Sequence, residues 1–259
     1  MLIGYFHVLS MANLPVQCLG EADPTMLRPI VTCEHGGREV PGELAELFAG
    51  QEDLLAGHRG WDPGALELAE RLAARLDAPL HAARTTRLVA DLNRSAHSPE
   101  LLSERTRTLS AGRREAVLTA HWRPYRRAVE EAVAALAAAA AGPVLHLSVH
   151  SFTPVLDGVV RNLDLGLLFD PGRDAEVAFC HRLGRALGAA LPALVVADNR
   201  PYLGTADGLT THLRGCLPPE RYLGIELEVN QRHPLGDPAA WAGVMDGTCA
   251  AVAAALAEA

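Results

Sequence analysis

The chain has 259 residues, 49% of them hydrophobic and 21% charged, an ordinary globular composition that suits one large α/β domain or two small ones. Its net charge of −8, with no contiguous basic run, argues against nucleic-acid binding through phosphate neutralisation, although a local basic pocket for a small anion stays open. Lysine is absent, so Schiff-base and P-loop chemistries are excluded and an anionic substrate must be held by arginine.

In chain order, residues 1–25 form an apolar extension without a positive leader region. They read as neither a signal peptide nor a membrane span, and Met26 is an alternative start just before the first strand. The catalytic unit is expected over residues 26–259. "PIVTC" (29–33) reads as a strand, and "DPGALELAERLAARL" (62–76) as a helix with an acidic start, an early proline and apolar residues at helical spacing. "APLHAA" and "RLVADLN" read as strands. "GRREAVLTAHWRPYRRAVEEAVAALAAAAA" predicts one long helix or two joined near Pro124. "PVLHLSV" and "LDLGLLF" are further strands, followed by the helix "DAEVAFCHRLGRALGAAL", the short strand "ALVVA", the late strand "YLGIELEV" and a closing helix from "DPAAW" onward. Strands alternating with helices predict an α/β single domain whose mainly parallel or mixed central sheet carries helices on both faces.

Ligands of such sheets bind beyond the carboxyl ends of the strands. Four strand segments offer chemistry there: His35 with Glu34; Asn93 and Arg94; His150 and Ser151; and Glu226 with Glu228, which share one side of their strand. His35 and His150 are the two histidines placed directly at the ends of strong apolar strands. Each alone suits a half-buried histidine bonded to backbone. Together, with Gly36-Gly37 giving the chain room to turn, they suit a metal pair. His146 alternates with apolar residues and reads as a satisfied core histidine. For the third ligand Asp62 comes first, with Glu39 and His58 as alternatives; an Asp before a Pro is also an ordinary helix N-cap. Glu34 is expected to point away from His35, as neighbours on an extended chain do. Arg94, beside Asn93, forms a carboxylate clamp that Asp91 could orient, although an arginine at a strand end is commonly a surface ion pair. Arg87 and Arg161 are further arginines for a second carboxylate or an oxyanion. A glutamate in a strand otherwise built from apolar residues is exposed at an edge or functional, which makes Glu226 the general base, with Glu228 as its rival.

The five cysteines are odd in number, widely spaced and without a CxxC pair, which favours a reducing cytoplasm over a disulfide framework or zinc cluster. Cys33, two residues before His35, leaves open a metal-free cysteine hydrolase.

The ordered set "TCEHGG…HRGWDPGA…RLVADLNRS…LSVHSF…DNRPYLG…GIELEVNQ" resembles the N-formylglutamate amidohydrolase family from about Pro29 to Arg232. The resemblance implies a metal-dependent hydrolase that cleaves N-formyl-L-glutamate to formate and glutamate in histidine degradation, on an α/β fold related to zinc carboxypeptidases. In the more distant likeness to those peptidases, Asn93 and Arg94 match the carboxylate-holding segment, His35 and His150 the two histidine ligands, and Glu226 the catalytic glutamate. The peptidases place a glutamate ligand three residues after the first histidine, where this chain has Arg38, so the third ligand stays open. Arg200 is a second departure and fits a changed substrate preference. The expected enzyme therefore binds one Zn2+ through His35, His150 and Asp62. Glu226 and Arg161 are its catalytic groups, Asn93, Arg94 and Arg87 its substrate-binding groups, and a small N-acyl amino acid its partner, with no nucleic acid or membrane. A non-catalytic small-anion binding protein is the remaining alternative.

Overall fold

A computed structural model describes residues 26–139 and 142–258; the extension expected over residues 1–25 lies outside the described residues. β1 (Arg28–Cys33) opens the fold, and a turn after Cys33 carries the chain through a 3-10 segment, Gly42–Phe48, to α1 (Glu52–Ala56) and α2 (Ala65–Leu76). β2 (Leu80–Ala82), α3 (Glu104–Arg107) and α4 (Ala111–Val117) follow. The long predicted helix is two helices: a π segment, Leu118–Trp122, joins α4 to α5 (Arg123–Ala139). β3 (Val144–Phe152) leads into a small hairpin, β4 (Val155–Leu156) and β5 (Val159–Val160), which the sequence reading missed. β6 (Leu165–Leu168), α6 (Asp174–Ala190), β7 (Val196–Asp198), α7 (Leu209–Cys216), β8 (Tyr222–Asn230) and α8 (Pro238–Ala257) complete it.

The six-stranded sheet runs β2-β1-β3-β8-β6-β7, parallel throughout except where β6 meets β8. It is a single domain with a mixed sheet and helices on both faces, as the alternating pattern predicted. Strand alternation sends Val31, Cys33, Leu145, Leu147, Val149, Ile225 and Leu227 to one face, where they pack with α2, α6 and α8 in the largest core. α8 is long and apolar enough to cross a membrane by length and composition, yet its Trp241, Val244, Met245 and Val252 fill this core.

The other face changes character along the strands. At the amino end Ile30, Val144 and Tyr222 pack under α5 and α7. Further along the same side come Thr32, His146, Ser148, Glu226, His150 and Glu228. β3 is buried along its whole length, so its polar groups need partners inside the protein. His146 finds them in Thr32 Oγ1 at 2.8 Å and the Tyr222 hydroxyl at 2.6 Å, and burial lowers its pKa to about 4. It is the satisfied core histidine that its position predicted.

One predicted strand does not exist. Residues 87–89 of "RLVADLN" form a turn held by Thr86 N to Glu39 O, Arg87 N to Gly60 O and Val89 N to Thr86 O. Leu88, Val89 and Ala90 are apolar because they fill a satellite core with Leu44, Phe48 and Val117, not because they face sheet neighbours.

Candidate active site

The site begins where β1 ends. His35 follows the last strand residue by two, and Gly36-Gly37 lets the chain pass tightly against the segment after β2. A Cβ on Gly37 would lie inside the Arg84 backbone, and one on Gly36 would stand 2.9 Å from Ala83 O. The passage is fixed by Glu39 N donating to Arg84 O at 2.9 Å. This use of the backbone occupies Glu39, whose side chain is exposed, and His58 is also exposed; neither alternative third ligand joins the histidines.

Asp62 does. α2 starts at Ala65 behind Gly64, with no side-chain cap, so Asp62 is not an N-cap carboxylate. Its backbone N–H donates to His35 O at 2.9 Å, and its Oδ2 accepts from Ser151 N at 3.3 Å. That same Oδ2 lies 3.3 Å from His35 Nδ1 and 2.9 Å from His150 Nδ1, with the two imidazole centroids 4.8 Å apart. The ligand atoms of His35, Asp62 and His150 all fall within 4.8 Å of one another, and all three residues are buried.

The far nitrogens are equally committed. His35 Nε2 lies 2.7 Å from Asp91 Oδ1, and His150 Nε2 lies 3.1 Å from Glu34 Oε2. Each acid can therefore accept an Nε2–H, leaving the Nδ1 lone pair of each ring directed at Asp62. Glu34 is itself set by Ser148 Oγ donating to Oε2 at 2.7 Å and Tyr125 OH donating to Oε1 at 2.9 Å. Burial opposes ionisation of Asp62, Asp91 and Glu34, but hydrogen bonds and opposite charges hold each carboxyl well below its usual range. His35 and His150 supply these for Asp62, Arg87 and His35 for Asp91, and His150 for Glu34. Burial likewise opposes the charged form of His150, and its Asp62 and Glu34 partners raise it well above an ordinary histidine.

This donor set fits a divalent cation such as zinc. Two imidazole Nδ1 atoms and one carboxylate oxygen converge, each imidazole is fixed by an acid on its far nitrogen, and three protein ligands are the number a catalytic zinc takes.

The remaining predicted residues separate into several groups. Arg87 is turned onto the protein: its Nη2 donates to Asp91 Oδ2 at 2.6 Å, its Nε to the same oxygen at 3.0 Å, and Nη1 stands 3.5 Å from Asp62 Oδ1. With its charge shared by two carboxylates it braces the ligands. Asn93 is engaged through its oxygen, while its amide nitrogen only stands near the imidazole nitrogen whose proton Glu34 accepts. Its Nδ2 lies 3.3 Å from His150 Nε2, and its Oδ1 accepts from Leu209 N at 2.6 Å. Arg94 Nε donates to Glu100 Oε2 at 2.9 Å and its Nη1 to Asp207 O at 3.1 Å. Both residues of the expected Asn-Arg clamp thus make contacts within the protein, Arg94 with the largely exposed Glu100. Arg161 lies beyond the hairpin, over Phe152 and Tyr202.

The two glutamates of β8 differ in level. Glu226 pairs in register with Ser148 and accepts from Thr210 Oγ1 at 2.7 Å. Glu228 pairs in register with His150. It is buried, its Oε2 has no hydrogen-bond partner, and burial, reinforced by Asp62 and Glu226, pushes its pKa up to about 8. The rival therefore stands level with His150, buried and with a free oxygen, while Glu226 sits one strand step earlier, half-buried and bonded to Thr210.

Cys33 points to the opposite face, fully buried in the large core, where burial raises its thiol pKa far above normal. A nucleophilic thiolate is not available there. Glu34 is the site residue that sequence reasoning missed. It was expected to point away from His35, but β1 ends at Cys33 and the turn brings both residues onto His150.

Among solved structures, the chain is similar to a gene product of Agrobacterium tumefaciens, with 28% identity, a TM-score of 0.74 and coverage of 92% of this chain and 96% of that one. Its fold is also similar to N-formylglutamate amidohydrolase from Ralstonia eutropha JMP134, with 19% identity, a TM-score of 0.63 and coverage of 91% and 94%. No curated protein matches it by sequence. Residues 27–233 match the family model described as N-formylglutamate amidohydrolase, and the chain belongs to that family of hydrolases.

Proposed function

We propose that the protein is a metal-dependent amidohydrolase that cleaves the amide of a small N-acyl amino acid, N-formyl-L-glutamate being the first candidate. The observation that carries this reading is the meeting of His35 Nδ1, His150 Nδ1 and Asp62 Oδ2, with Asp91 and Glu34 on the far nitrogens. A divalent cation held there supplies Lewis acidity, polarising the amide carbonyl and acidifying a water.

The chain's own groups do the rest. Asp91 and Glu34 keep the Nε2 protons in place, so both imidazoles are neutral and correctly tautomeric when the cation is bound. Arg87 and the Ser151 N–H hold Asp62 in the ligating rotamer. Glu228, not Glu226, takes the acid/base role in this reading. Its unpartnered Oε2 stands level with His150, where in this reading it accepts a proton from the attacking water and returns it to the leaving nitrogen once the bound cation offsets the charge of Asp62.

The test combines metal content with hydrolysis. Purified protein should hydrolyse N-formyl-L-glutamate or a related N-acyl amino acid, lose the activity to a chelator and recover it with zinc. Activity that survives complete metal removal refutes the proposal.

A further inference from the structure

The site is acidic: Glu34, Asp62, Asp91, Glu226 and Glu228 surround the two histidines. The bound cation of the proposed function and Arg87 are largely offset by Asp62, Asp91 and Glu34, so a second substrate carboxylate needs a further cation within its reach. Arg87 is neutralised by Asp91 and Asp62, and Arg94 is paired with Glu100. Among the described residues, Arg161 forms no ion pair with a carboxylate. Its Nη1 donates to the Tyr202 hydroxyl at 3.0 Å, and its guanidinium lies over the Phe152 ring at 5.9 Å and the Tyr202 ring at 5.0 Å.

Its backbone is held more firmly than a surface arginine requires. Arg161 N donates to Pro154 O at 2.8 Å, closing the β4–β5 hairpin. From the end of β8 the fully buried Asn230 donates through Nδ2 to Arg161 O at 3.3 Å and Leu163 O at 2.8 Å. Position along the strand then gives the reach. Phe152 is two residues beyond His150 on the same side of β3, which is about 7 Å along the strand. Asn230 bears the same relation to Glu228.

From these placements we infer that Arg161 and Tyr202 form the subsite for a second carboxylate, carried by the side chain of the substrate's amino acid. This rests on the amidohydrolase reading for where the scissile amide lies. The α-carboxylate sits too close to that amide to reach one strand step away, whereas a glutamate-sized side chain spans the gap. Cation–π contacts to two rings hold the guanidinium in place, and the Tyr202 hydroxyl, which accepts from Arg161, keeps its own proton to donate to the same carboxylate.

Calorimetric titration tests this without relying on turnover. Zinc-loaded chains carrying Glu228→Gln, with Arg161 intact or changed to Gln or Lys, are titrated with N-formyl-L-glutamate and N-formyl-L-norvaline, which lacks the second carboxylate. Arg161→Gln should reduce the preference for the diacid about 10–100-fold, the worth of a charge-assisted hydrogen bond. Arg161→Lys, which keeps the charge but not the fork, should recover part of it. Tyr202→Phe should reduce it less than Arg161→Gln. A preference unchanged within about twofold in both Arg161 variants, or equal weakening of both ligands, overturns the inference, as does failure of the Arg161-intact chain to prefer the diacid. If the parent hydrolyses neither compound while the Arg161-dependent preference persists, the hydrolase reading fails and the anion subsite stands.

Discussion

Glu228→Gln should stabilise the metal-free protein at neutral pH while abolishing turnover. An ordinary glutamate, such as this one in the unfolded chain, titrates near 4.5, and the folded protein holds Glu228 at about 8. Protonation is therefore favoured by folding: that stabilisation is fully present below the unfolded value and is lost as pH rises toward the folded one. In the interval, unfolding releases a proton, which costs the native state about 1.4 kcal/mol per pH unit. The accumulated penalty is roughly 3 kcal/mol at pH 7 and levels off near 4–5 kcal/mol above pH 8. Glutamine has the same shape and no charge to expose, so its advantage over the parent should follow that curve. Urea unfolding at pH 5, 7 and 8.5 on chelator-treated protein measures it, because groups common to both chains cancel in the difference. Any fixed packing effect of the amide adds a constant, so the slope is the diagnostic. A stability difference that stays flat from pH 5 to 8.5 refutes the claim that Glu228 is held protonated beside His150.

Other consequences follow from the same geometry. Glu34→Gln leaves His150 Nε2 without its carboxylate, and zinc affinity measured by chelator competition should fall about 10–100-fold. Asp62, Asp91 and Glu34 have carboxyl pKa values depressed by folding, so the stability they give is complete above the ordinary carboxylate range and lost as pH falls below it. Below about pH 4, where Glu228 is protonated in both states and adds no further slope, denaturant midpoints of the metal-free protein should therefore drop steeply. Cys33→Ala should retain activity and cost about 1 kcal/mol through lost core packing. In the native protein a thiol alkylator should modify the exposed Cys216 and spare the buried Cys33, Cys180 and Cys249, as read by peptide mass mapping.

Much of the site was legible because strand ends are legible. The apolar runs before His35 and His150 are real strands, and parallel neighbours bring their carboxyl ends together. Asp62 was readable as a candidate, but the choice between ligand and helix cap depended on where α2 starts, which Gly64 delays to Ala65. Glu34 was discounted by an alternation argument that fails because the strand ends at Cys33 and residues 34–35 form a turn. Glu34 continues the Thr32 side toward His150 on the adjacent strand, and the turn swings His35 to the same place. The strand read at Arg87 failed for a different reason. The "RLVADL" run looks like a strand, but it is a turn that buries its apolar side chains under the 3-10 segment and lets Arg87 fold back onto Asp91, four residues later. The choice between Glu226 and Glu228 depended on register: both face the same side, and only the pairing of β3 with β8 shows which is level with the histidine.

The central claim is that His35, Asp62 and His150 hold one cation and that hydrolysis depends on it. Metal analysis of the purified parent, His35→Ala and His150→Ala after zinc loading and removal of free metal tests it directly, with each protein assayed for hydrolysis in the same samples. The account predicts about one tightly held zinc per parent chain, its loss from both variants, and activity that tracks occupancy. A parent that retains no metal, or variants that retain both metal and activity, contradicts it.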